Sequence, residues 1–208
     1  MLKAFLLILI GAASYVLGSL NGAIIASNLF FKKDIRGFGS GNPGLTNFHR
    51  TFGVGGAALV ILIDMLKTVI ACLLGKLLLG VIELGTVGLL FGGFCAMVGH
   101  AFPFMYEFKG GKGVLAGGTI VIMLDWRVAL ICWGVFLLTI LFSRYVSLGS
   151  VLCALCLPLS MWMFKYEGIE VTLGLFCALL LIVRHGENIV RLINGRERKL
   201  EFNPPPKH

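Results

Sequence analysis

Seven apolar stretches separated by short polar links dictate most of what this chain can become. They run at about residues 4–30, 54–80, 84–105, 114–124, 127–142, 149–164 and 171–186. About 20 apolar residues cross the hydrocarbon core of a bilayer as a helix, and a helix satisfies its own backbone polar groups there. Of the 208 residues, 58% are hydrophobic and only 13% charged, roughly half the charge of a soluble domain. A water-exposed surface cannot carry that much apolar side chain. The expectation is an all-α integral membrane protein of seven transmembrane helices, a single domain over 1–208, with 202–208 a disordered tail. The first run follows Met1-Leu2-Lys3 like a signal peptide, but it is too long for a removable leader and reads as a retained span. The stretch 114–124 is the shortest and falls well below a full crossing.

The links alternate in character. Those at 32–52, 106–113, 143–148 and beyond about 187 hold most of the lysine and arginine, including Lys32, Arg36, Arg50, Lys112, Arg144 and Arg191. The opposite links are turns with few cations. The positive-inside rule puts the first set in the cytoplasm, so an odd span count leaves the N-terminus outside and the C-terminus inside. The net charge of +8 is spread over these short clusters, which argues against a nucleic-acid partner. All six cysteines lie in apolar segments, where cysteine behaves as a small hydrophobe; no disulfide framework or zinc site is expected.

Four polar segments on the basic side carry the chemistry. In Gly39-Ser40-Gly41-Asn42-Pro43-Gly44-Leu45-Thr46-Asn47-Phe48-His49-Arg50, glycines let backbone N–H groups converge on an anion. Ser40, Asn42, Thr46 and Asn47 add neutral donors, and Arg50 adds a fork that fits phosphate. Gly99-His100-Ala101-Phe102-Pro103 leads to Phe108-Lys109-Gly110-Gly111-Lys112-Gly113, two ammonium groups on a glycine cradle. Tyr106 and Gly113 stand where a nucleotide-binding P-loop needs glycine and Ser or Thr. Arg144-Tyr145-Val146-Ser147-Leu148-Gly149-Ser150 supplies one cation and two hydroxyls. In Arg184-His185-Gly186-Glu187-Asn188, continuing to Arg191 and Glu197, His185 and Asn188 share a face if the helix runs on, and His185 is a candidate base or holder of a substrate oxygen. Asp64 and Lys67, inside the second span, read as a neutralising pair that fixes helix packing. The acids on this side are few and dispersed, and no metal-binding motif or nucleophile elbow occurs.

Taken together, these four segments resemble the bacterial acyl-phosphate:glycerol-3-phosphate acyltransferases from about Gly18 to Glu197. Gly186, where a basic residue is common, and Asn21, near a frequent proline, depart from that pattern. The resemblance implies transfer of a fatty acyl group from acyl phosphate to the 1-hydroxyl of sn-glycerol 3-phosphate, without cofactor, metal or obligatory protein partner, at the cytoplasmic face of the bacterial inner membrane. It assigns Ser40, Gly41, Asn42, Gly44, Thr46, Asn47, Arg50, Lys112 and Arg144 to substrate binding, and Ser150, His185 and Asn188 to the reacting groups. A transporter of a phosphorylated small molecule is the alternative. Transporters tend to show internal repeats and midplane sites, whereas here the polar residues crowd one face.

Overall fold

The computed structural model describes residues 1–200, and the tail at 202–208 lies outside the described residues. Its elements are α1 (Leu2–Ser19), α2 (Gly22–Phe31), α3 (Leu45–Phe52), α4 (Ala57–Gly80), α5 (Gly85–Ala101), α6 (Val114–Leu124), α7 (Trp126–Ser143), α8 (Val146–Met163), α9 (Gly168–Arg184) and α10 (Gly186–Ile193), with 3-10 turns at Ile35–Gly37 and Phe104–Tyr106. Among the described residues, five helical stretches are long and apolar enough to cross a membrane. A sixth is formed if α9 and α10, bent by 60° at His185, count as one, and α6 is a shorter apolar helix of 11 residues.

The first apolar run is not one helix. Leu20 turns to extended backbone, and the Asn21 side chain accepts the Ile24 N–H to start α2. Asn21 Nδ2 also donates to the Pro43 carbonyl at 3.0 Å, so the break in the helix holds the glycine-rich loop. A polar residue at this depth is satisfied by the break it creates.

Helices α1, α4 and α5 pack backbone to backbone. A Cβ on Gly75 would lie 1.9 Å from the Gly88 carbonyl oxygen, one on Gly18 2.1 Å from that of Ala96, and one on Gly99 2.2 Å from that of Tyr15. In lipid no hydrophobic force pulls helices together, so close approach at small residues supplies the van der Waals contact instead. Leu62, Leu77, Leu130, Leu141, Phe142 and Trp162 are exposed on the outer surface, as lipid-facing side chains should be. A buried cluster centred on Cys72, Leu90, Met97, Ile120 and Met161 joins α4, α5, α6 and α8. A second cluster, with Ile24, Ile35, Phe48 and Val60, seats α3 on α2 and α4. There Phe31 stacks on Phe52 with centroids 4.3 Å apart. This second cluster aims the glycine-rich loop at the far helices.

Candidate active site

The glycine-rich loop closes on the start of α3. Gly39 and Gly41 take φ of +63° and +72°, a region costly for residues with a Cβ. Asn47 then spans the turn: its Oδ1 accepts the Ser40 N–H at 2.9 Å and its Nδ2 donates to the Phe38 carbonyl at 3.0 Å. Both polar ends of Asn47 are thus spent on loop shape.

The lysine loop is tied to α5 and α9. Gly111 N–H donates to the His100 carbonyl at 3.0 Å. The Arg184 guanidinium donates to the carbonyls of Gly111 at 3.2 Å and Gly110 at 2.9 Å. These bonds hold Lys112 at the mouth of α6, where its ammonium meets the Asn188 side-chain carbonyl. Burial, followed by the nearby positive charge of Arg191, pushes the Lys112 pKa down to about 8.

Glu197 gathers the remaining wall. It accepts from Ser147 Oγ at 2.8 Å, Asn188 Nδ2 at 2.7 Å and Arg191 Nε at 2.8 Å. Burial favours its protonated form, but the bonds from Asn188, Arg191 and Ser147 outweigh that and hold its carboxyl below the usual range. His185 sits at the α9–α10 bend with Nδ1 2.8 Å from the Leu181 carbonyl oxygen. A carbonyl only accepts, so Nδ1 carries the proton and Nε2 offers a lone pair. Ser150 Oγ donates to the Val146 carbonyl at 2.9 Å. Arg50 donates to the carbonyls of Arg198 at 3.0 Å and Lys199 at 3.3 Å, so the chain after α10 lies across to α3.

These groups surround one cavity of about 530 Å³. Of the residues singled out in the sequence, Ser40, Asn42, Gly44, Thr46, Asn47, Arg50, Lys112, Ser150, His185 and Asn188 line it. Gly41 and Arg144 are not among its lining residues. Gly41 shapes the turn through its N–H to the Phe38 carbonyl at 2.9 Å. Arg144 ends α7 in a left-handed conformation, and its carbonyl accepts the Leu200 N–H at 2.7 Å. The cavity is also lined by Asp64, His100, Ser147, Arg191, Glu197 and Arg198, and on its apolar side by Trp133 and Phe136. No site role was assigned to these from sequence. Ser147 and Glu197 meet across 50 positions, a pairing without a local signal.

A second, apolar pocket of about 40 Å³ lies between α6, α7, α8 and α9 and shares Val114, Trp133 and Phe136 with the first. Polar cage and apolar slot are therefore contiguous. Among the described residues no group of three His, Cys, Asp or Glu side chains is placed to hold a metal ion.

A helical membrane protein whose cations and amides converge on one cavity, beside an apolar slot, belongs to the class that handles anionic head groups with fatty tails. Comparison narrows the class. The sequence matches the family described as glycerol-3-phosphate acyltransferase over residues 8–195. It is 38% identical to glycerol-3-phosphate acyltransferase 2 of Bacillus anthracis, covering 90% of this chain and 95% of that one. It is 37% identical to the Photobacterium profundum glycerol-3-phosphate acyltransferase, covering 94% and 92%. The crystal structure of PlsY (YgiH), an integral membrane glycerol 3-phosphate acyltransferase, in its glycerol 3-phosphate form superimposes with a TM-score of 0.83 at 34% identity, over 94% of this chain and 96% of that one. Its lysophosphatidic acid form gives 0.82 at 32% identity, with the same coverage. The chain belongs to the glycerol-3-phosphate acyltransferase family.

Proposed function

We propose that the protein transfers a fatty acyl group from acyl phosphate to the 1-hydroxyl of sn-glycerol 3-phosphate, giving 1-acylglycerol 3-phosphate and inorganic phosphate. The observation that carries this reading is the contiguity of a cation-rich, amide-lined cavity with an apolar slot. Two phosphate-bearing substrates must lie side by side, and their repulsion calls for several fixed cations and donors. Arg50, Lys112 and Arg191, with Ser40, Asn42, Thr46 and the loop N–H groups, supply them. The acyl end of the fatty chain lies against Trp133 and Phe136, where the apolar slot begins; at about 40 Å³ the slot must widen to take more of the chain.

An acyl phosphate is already an activated anhydride. The substrate hydroxyl attacks its carbonyl carbon, the tetrahedral oxyanion collapses, and the acyl carbon–oxygen bond to phosphate breaks. Positioning and charge stabilisation are the protein's contribution, and neither a protein nucleophile nor a metal or other cofactor takes part. His185 Nε2, bare on the cavity side, accepts a hydrogen bond from the hydroxyl and orients it. Because Nδ1 rests on a carbonyl and not a carboxylate, little stabilises an imidazolium. The proton therefore ends on a phosphate oxygen of a substrate, whose second pKa is near ~6 by analogy with phosphoserine. Ser150 and Asn188 position the acyl carbonyl and the hydroxyl.

In the same reading the chain is one transmembrane domain of seven spans. α6 and the bent α9–α10 pair are counted among them, the N-terminus is outside and the cavity opens to the cytoplasm across the bacterial inner membrane. The lysine and arginine bias supports this orientation. Purified protein given palmitoyl phosphate and glycerol 3-phosphate should release inorganic phosphate and form lysophosphatidic acid in equal amounts, with EDTA present. Transport of glycerol phosphate without phosphate release, or turnover with acyl-CoA in place of acyl phosphate, would sink the reading.

A further inference from the structure

His100 lies in the last turn of α5 with its ring between the two polar loops, and the reaction described above gives it no part. Lys67 Nζ lies 2.9 Å from His100 Nδ1 and 2.8 Å from Asp64 Oδ1. It also donates to the Gly18 carbonyl at 3.0 Å and to the Leu20 carbonyl. The ammonium has three N–H groups and no lone pair, with four acceptors around it, so the ring nitrogen shares one of them; a proton on Nδ1 would instead point at the cation, which favours a bare Nδ1. Asp64 Oδ1, at 3.6 Å from Nδ1, is beyond hydrogen-bond reach and claims no proton there. The ring's proton is therefore on Nε2.

Nε2 faces Gly111: a Cβ at that position would lie 2.2 Å from Nε2 and 3.0 Å from the Pro43 carbonyl oxygen. The missing side chain leaves the N–H open at the junction of the glycine-rich and lysine loops. No acceptor meets Nε2 among the described residues. It is not sealed off either, since Ser14 Oγ is the one fully buried polar side-chain atom there without a partner. His100 lines the cavity with Ser40, Asn42 and Lys112.

We propose that His100 is a further substrate-binding residue, its Nε2–H donating to a phosphate oxygen in the cavity. Lys67 is the positioning residue that fixes the ring's tautomer, and Asp64 balances its charge. This rests on the reading of the cavity as a phosphate-ester site.

Two substitutions separate this role from a structural one. Asparagine places its amide oxygen where Nδ1 stood, so His100→Asn keeps an acceptor for Lys67 and removes the donor. Glutamine reaches the position of Nε2, so His100→Gln keeps the donor. His100→Asn should weaken calorimetric binding of inorganic phosphate by roughly ten- to a hundred-fold, and His100→Gln should recover most of it. Kinetics then identify the phosphate: a rise in KM for glycerol 3-phosphate assigns that ester, and a rise for palmitoyl phosphate assigns the donor. If asparagine matches wild type, or glutamine is no better than asparagine, the proposal falls. A variant-free check uses protein labelled with nitrogen-15 histidine: His100 should show a protonated Nε2 that shifts on adding inorganic phosphate. A protonated Nδ1 overturns the assignment. Wild type that binds phosphate but turns over no acyl phosphate would withdraw the acyltransferase reading, while the binding comparison still decides His100.

Discussion

Lys112 carries a charge that burial in the empty cavity opposes. In the empty protein its pKa is pushed down to about 8, so the ammonium is present below that value and lost as pH rises through it. Capture of a phosphate needs the ammonium, and kcat/KM for glycerol 3-phosphate should therefore fall on an alkaline limb starting near 8. Bound phosphate favours the charged lysine, so the limb in kcat should lie higher. Lys112→Arg, with a guanidinium that stays charged, should move the first limb up; a limb that stays put would clear Lys112 of it. Lys112→Ala should cut kcat/KM by about ten- to over a hundred-fold, the worth of a charge-assisted contact of ~1.5–3 kcal/mol. Lys109 is the internal control. It is 70% exposed and paired with Glu107 at 2.8 Å, and its replacement by alanine should leave steady-state rates within about twofold, since exposed pairs contribute little. From the sequence alone Lys112 stood out by its flanking glycines. Arg144 stood in a segment that is weak on its own and drew its weight from its side of the membrane, and its side chain is not among the residues lining the cavity.

Among the helices, the contact between α4 and α5 depends on two glycines facing each other. A valine at Gly88 would put its Cβ 2.1 Å from the Gly75 carbonyl oxygen. Forcing the helices apart should cost about 1–3 kcal/mol or more, visible as a lowered melting temperature in detergent. Gly134, whose Cβ would meet nothing within 4 Å, should accept alanine with no loss of melting temperature. Equal tolerance at both positions would mean the two helices are not in contact there. Apolar length and charge bias were enough to place most helices within a few residues, because lipid filters for composition. The break at Asn21 and the 60° bend at His185 escaped that reading. A hydropathy window registers how apolar a stretch is, and a change of chain direction leaves composition untouched. The short helices α3 and α10 lie outside what apolar length can register, but helix-forming sequence from about Thr46 and the spacing of His185 and Asn188 pointed to them.

Across the whole molecule, every polar segment assigned to the site comes to one end. Single cysteines at Ser40, Lys112, Arg144 and Asn188, in a background lacking the six native cysteines, should resist membrane-impermeant maleimide in intact cells. They should react in inverted vesicles, except where burial slows Asn188, which is 7% exposed. Reaction at any of them from outside would break the single-face arrangement. The helix α6 gives this arrangement a further consequence. It starts at the cavity beside Lys112 and ends at Asp125, where α7 turns back. Its 11 residues rise only about 16 Å, roughly half the hydrocarbon thickness. A helix that short reaches across the hydrocarbon only if the cavity it starts from dips into the membrane. In that arrangement solvent in the cavity carries the cytoplasmic electrical potential inward, and the voltage drops over less than the full thickness, so the electric field beneath the cavity exceeds that in the surrounding lipid.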